Sequence, residues 1–111
     1  MMVHEVTAIE GASLVESGSF LLDVRNADEW TAGRSLAATW IPLAELENRF
    51  AEVPSDRQVI CICKVGGRSL KATEFLVGKG IDAANLAGGM RAWAEAGLAV
   101  IAADGNPGQV I

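Results

Sequence analysis

Apolar residues in this chain gather in short runs separated by amphipathic stretches. Phe20-Leu21-Leu22-Asp23-Val24 is a compact run that predicts a strand buried on both faces. Val59-Ile60-Cys61-Ile62 has the same character, and Val3 to Thr7, Thr39 to Ile41 and Ala83 to Leu86 are shorter strand candidates. Helical patterns fall between them. Ile9 to Ser17 is stopped by Gly18, and Asn26 to Trp30 is a single turn that Asn26 would cap. Leu43 to Val53 sets Leu43, Leu46 and Phe50 on one face and ends at Pro54. Ser69 to Val77 is closed by Gly78 and Gly80, and Gly89 to Ala96 by Gly97. Strands alternating with helices predict an α/β fold, a parallel sheet with helices on both faces, whose sites form at the carboxyl ends of the strands. Cys63 stands at one such end, and Asp23 and Arg25 at another.

Length and composition narrow this picture. The 111 residues suit one domain over residues 1–100, which can bury roughly two-thirds of its unfolded surface without metal or disulfide. Residues 102–109 are small and polar with a proline, so 101–111 reads as a loosely held tail. A net charge of −5 argues against nucleic acid and gives no reason for a membrane partner. Cys61 and Cys63, the only cysteines, are too close in sequence for a good disulfide, so reduced thiols and a cytoplasmic location are expected. Met1 to Ser13 lacks the continuous apolar core of a signal peptide.

The chemistry concentrates in Cys63-Lys64-Val65-Gly66-Gly67-Arg68. A cysteine leaving a buried strand, then a tight Gly-rich loop, then a helix start, makes a cup lined by backbone N–H groups. The helix dipole adds positive potential, so Cys63 should favour its thiolate and an anion should fit beside it. Cys61, mid-strand between two isoleucines, reads instead as core. Arg68 stands where a cation opposes the helix dipole, and closing the anion cup with its guanidinium fork would account for it. Lys64 either lines the mouth or is a surface lysine. Gly66 and Gly67 would supply positive φ and close approach. Asp23 and Arg25 read as a structural pair, with Asp23 accepting backbone N–H bonds and Arg25 pairing with Glu29. Trp40 and Trp93 read as packing residues. Cys61, Cys63 and His4 do not make a metal site, and no cofactor is implied.

The same residues resemble a known family. Leu21 to Arg25 with Glu29-Trp30, then Ile41-Pro42-Leu43, then Cys63 to Ser69, then Asn85 to Gly89 with Ala92-Trp93, resemble in order the signatures of rhodanese-like sulfurtransferases. The resemblance implies a five-stranded parallel sheet flanked by helices. It also implies a thiosulfate sulfurtransferase in which the Cys63 thiolate takes a sulfur atom, becomes a persulfide and yields that sulfur to cyanide or a thiol, including a thioredoxin-like protein. The amides of Lys64 to Ser69 would stabilise thiolate and persulfide, and Lys64 and Arg68 would hold the donor's sulfonate. One segment departs from the family: Gly33-Arg34-Ser35-Leu36-Ala37-Ala38 has arginine where histidine is usual, and Arg34 would bring a cation near the site. Two rivals remain: a non-catalytic persulfide-binding or regulatory module, and a phosphatase or arsenate reductase of the same fold. Four residues separate Cys63 from Arg68, one fewer than in those phosphate-binding cups, which favours sulfur over phosphate.

Overall fold

Side chains of β4 (Val59–Ile62) alternate between two hydrophobic clusters. Val59 and Cys61 enter one, with Cys63 continuing on the same side, and Ile60 and Ile62 enter the other. A strand that feeds two cores cannot carry a polar face, which is why the run Val-Ile-Cys-Ile is entirely apolar. The computed structural model describes residues 3–111, so the first two positions of the expected 1–100 domain lie outside the described residues.

Around β4 the chain builds a five-stranded parallel sheet in the order β1-β5-β4-β2-β3, with β1 at Glu5–Val6, β2 at Phe20–Asp23, β3 at Ala38–Trp40 and β5 at Ala83–Leu86. The connecting helices are α1 (Ala8–Glu16), α2 (Ala27–Ala32), α3 (Leu43–Arg49), α4 (Gly67–Gly78) and α5 (Gly89–Glu95). The α/β reading and both long apolar strands hold.

One cluster joins Leu22, Val24, Cys61 and Cys63 to Leu46 of α3 and Ala72 and Leu76 of α4. The opposite cluster joins Leu21, Ile60 and Ile62 to Met90 and Trp93 of α5. Burial of these side chains is the main force that seats the helices, at about 25 cal/mol per Å² of apolar surface removed from water. Trp93 is packing, as expected, and its Nε1 donates to the Ala99 carbonyl at 3.0 Å. Trp40 stacks on Trp30 with ring centroids 5.8 Å apart, and its Nε1 donates to the Arg25 carbonyl at 2.7 Å.

Several elements depart from the sequence reading. The helix over 43–53 stops at Arg49 and tightens into a 3-10 turn at Phe50–Glu52. α4 begins two residues early, because Gly66 takes φ +109° and caps it, leaving Gly67 inside the helix. Only Gly66 of that glycine pair needs positive φ. The C-terminal segment is not loosely held. Arg34 and Ile101 form an antiparallel bridge, Gln109 N–H donates to the Ala32 carbonyl at 2.9 Å, and Val110 packs against the second cluster. A side chain at Gly33 would meet the Gln109 carbonyl oxygen at 2.5 Å, so small residues permit the close approach. Arg34 spends its charge over the Trp30 ring, 4.6 Å from the centroid.

Candidate active site

β4 ends at Ile62, and the next residue, Cys63, is only 1% exposed. The loop wraps over the sulfur, which is what brings its amides into range. Gly66 N–H donates to Cys63 Sγ at 3.1 Å, and the Ser69 hydroxyl donates at 3.2 Å. Burial pushes the Cys63 thiol up. The bonds from the Ser69 hydroxyl and from the amides of Ser69, Gly66 and Val65 outweigh it, and the pKa settles below that of a free thiol. Ser69, fully buried on the first turn of α4, is held in place by the Thr73 hydroxyl, which donates to the Ser69 carbonyl at 2.7 Å.

Cys61, two residues earlier within β4, is the control. It is fully buried, and burial raises its pKa to about 12, outweighing the lowering contact of the Thr73 hydroxyl. It is a core residue, as expected.

The cup is braced from behind by α5. The Cys63 and Lys64 carbonyls accept from the Met90 and Arg91 amides at 2.7 and 3.0 Å. With its carbonyls turned rearward, the loop presents its N–H groups forward. Gly89 is required for this contact: at φ +57°, a Cβ there would lie 2.4 Å from the Cys63 carbonyl oxygen. Asn85 adds a side contact, its Nδ2 donating to the Gly66 carbonyl at 3.1 Å and to Glu5 Oε2 at 2.8 Å.

Arg68 does not point into open solvent. Its Nη1 and Nη2 donate to the two Glu29 carboxylate oxygens at 2.6 and 2.8 Å. This fork lowers the Glu29 pKa and raises that of Arg68. Glu29 is itself fixed, accepting from the Asn26 N–H at 3.0 Å. Arg25 therefore does not pair with the Glu29 carboxylate. Its side chain turns back to Asp23, with Nη2 2.7 Å from Asp23 Oδ2, and donates to the Glu29 and Gly33 carbonyls at 3.3 and 2.7 Å. Asp23 also accepts the Arg25 backbone N–H at 3.1 Å. Both residues are fully buried, so the pair holds the β2–α2 corner rather than meeting substrate. Lys64 is half-buried and Val65 is 53% exposed at the rim. No metal-binding group of His, Cys, Asp or Glu occurs among the described residues.

The sequence reading missed the partners that come from elsewhere in the chain: Glu29 for Arg68, and Asn85 and Gly89 for the loop. Asn85 carried a signal, since it is the lone polar residue in the buried run Ala-Ala-Asn-Leu.

Comparison with known proteins agrees with this geometry. The rhodanese-like domain family model matches residues 7–96. A sulfurtransferase of Allochromatium vinosum is 36% identical over 86 residues, covering 77% of this chain and 80% of that protein. The thiosulfate:glutathione sulfurtransferase of Homo sapiens is 35% identical over 106 residues, covering 81% of this chain and 92% of that protein. A solved rhodanese-related protein from Thermoplasma volcanium aligns with a TM-score of 0.83 at 28% identity, covering 88% of this chain and 97% of that one. The chain belongs to the rhodanese-like domain family, and its relatives support sulfur transfer in general.

Proposed function

We propose that this protein moves a sulfane sulfur from thiosulfate, or a donor like it, to a thiol or cyanide through a persulfide on Cys63. The observation that carries the reading is the set of donors on Cys63 Sγ, from Gly66 N–H and the Ser69 hydroxyl, at the floor of a cup. In the first step the Cys63 thiolate attacks the outer sulfur of thiosulfate. The S–S bond of the donor breaks, its electron pair leaves with sulfite, and Cys63 becomes the persulfide anion. In the second step cyanide or a thiolate attacks the outer persulfide sulfur and Cys63 leaves as thiolate. No oxidant or reductant is consumed overall, and the scheme is ping-pong.

The deep position of Cys63 suits this sequence. A donor with a narrow, one-atom tip suits a sulfur at this depth. Once formed, the outer sulfur sits about 2 Å further along, where an acceptor meets it. The loop amides serve the thiolate and the persulfide alike. Arg68 and Lys64 bind the donor's oxyanion end, Arg68 through N–H groups on the edge turned away from Glu29. An acceptor such as glutathione or a thioredoxin-like protein fits the same step, and the two unpaired thiols suit a reducing, cytoplasmic setting.

Intact-mass measurement after incubation with thiosulfate tests the reading. Wild type should gain a single sulfur atom, and Cys63→Ser should gain none. An unmodified wild type would favour a binding or regulatory module instead.

A further inference from the structure

The loop that activates Cys63 turns on a soft hinge. Gly66 sits at φ +109°, ψ −5°, a conformation that glycine reaches and leaves easily. Its N–H is a direct donor to Cys63 Sγ, so a small rotation there would remove a bond from the sulfur. Something must hold this residue. Its carbonyl accepts twice, from Leu70 N–H at 3.2 Å as α4 begins and from Asn85 Nδ2 at 3.1 Å.

Asn85 is unusual for its setting. It is 1% exposed, in a strand otherwise built of Ala83, Ala84 and Leu86. The orientation of its amide is dictated by its partners. Both Gly66 O and Glu5 Oε2 are acceptors, so the group facing them must be the NH2. The other end, Asn85 Oδ1, is buried and has no hydrogen-bond partner among the described residues. The fold tolerates an orphaned carbonyl oxygen to keep two donors on this spot, which an apolar residue would avoid. Glu5, on the neighbouring edge strand and paired in register with Asn85, anchors the second donor.

We infer that Asn85 is a positioning residue of the sulfur-transfer site: its amide grips the Gly66 carbonyl and keeps the Gly66 N–H aimed at Cys63 Sγ. This rests on the reading of Cys63 as the nucleophile. Asn85 itself touches neither the sulfur nor the donor and acts through the loop.

The test separates positioning from folding. Asn85→Leu has similar volume, suits the apolar strand and lacks the donors. Asn85→Ala removes the same donors by truncation. For each, thermal melting reports the fold, and the pH dependence of iodoacetamide alkylation, read by mass, reports the Cys63 thiolate. Both variants should stay folded, with the alkylation midpoint raised by about one pH unit and alkylation near neutrality slowed roughly tenfold, as loss of one thiolate hydrogen bond implies. Sulfur loading from thiosulfate should slow in parallel. A folded variant with the wild-type alkylation profile overturns the inference. So does failure of both variants to fold, which would make Asn85 purely structural. If wild type takes no sulfur from thiosulfate, the proposed function fails, while the alkylation comparison still decides the role of Asn85.

Discussion

Replacing Glu29 by Gln would remove one charge and keep nearly the same shape, so it asks what Arg68 is for. In the native protein Arg68 is held by two charge-assisted bonds of 2.6 and 2.8 Å. The carboxylate is nearly buried, while the Arg68 side chain is 34% exposed. Solvent screening at the exposed end limits the loss of stability to about 1 kcal/mol. The pH dependence has a definite sign. The folded-state pKa of Glu29 is depressed, chiefly by Arg68. Its contribution is therefore present above the unfolded value of about 4.3 and lost as pH falls through the folded value. Wild type and Glu29→Gln should differ in denaturation midpoint at neutral pH and converge in acid. The catalytic effect has the opposite sign. Glu29→Gln leaves the Arg68 charge unneutralised at the mouth of the cup. A charge about 8 Å from a bound dianion, at an effective dielectric of about 40, contributes about 2 kcal/mol, and ionic screening halves it. Steady-state assays with varied thiosulfate should then show KM reduced about fivefold with kcat little changed, the gain fading at high salt. Arg68→Ala supplies the opposite limit, with KM raised and the fold intact. An unchanged or higher KM in Glu29→Gln would show that Arg68 is a strut between α2 and α4 rather than an anion clamp.

Two further outcomes follow from the same contacts. Ser69→Ala deletes the hydroxyl donor to Cys63 Sγ, so the Cys63 pKa should rise; wild-type transfer rates, which follow the thiolate, should level off below the pH of a free thiol and those of Ser69→Ala at a higher pH than wild type, about tenfold slower near neutrality. Truncation after Ala102 removes Val110 from the second cluster and the Gln109 bond to Ala32, and should lower unfolding free energy by about 1–3 kcal/mol in a denaturant titration, whereas a loose tail would cost nothing.

What could be read from the sequence was what repeats locally. Val59 to Ile62 was legible because a strand buried on both faces reads as an apolar run of about that length, and Ala83 to Leu86 because Asn85 alone interrupts one. Cys63 was legible because strand, cysteine, glycines and helix lie consecutively. Contacts across the chain were not. Glu29 and Arg68 are 39 residues apart, and nothing in their spacing announces the pair. Spacing misled for Arg25: a helical i,i+4 relation suggested the Glu29 carboxylate, but Arg25 leaves a strand and folds back on Asp23 two positions earlier. The tail misled through composition. Small polar residues suggested weak attachment, yet Gly33 and Gly108 are small because the backbones nearly touch.

The rear brace explains why motifs far apart in sequence form one site. A loop that offers its N–H groups to a thiolate must dispose of the carbonyls that alternate with them. Left among the amides, those carbonyls would repel the sulfur's charge; buried without partners, they would be costly. A helix N-terminus has the complementary problem of N–H groups without acceptors. Here each solves the other. The first amides of α5 take the Cys63 and Lys64 carbonyls, and the α4 end of the loop gives its amides and the Ser69 hydroxyl to Sγ. Such close approach leaves no room for a side chain at Gly89, and its positive φ directs the chain into α5. The lowered pKa of Cys63 is thus a property of the Ser69 hydroxyl together with backbone polarity sorted by two helices. Arg68, already matched by Glu29, adds a coulombic contribution, but the larger lowering contacts are those of Ser69, Gly66 and Val65.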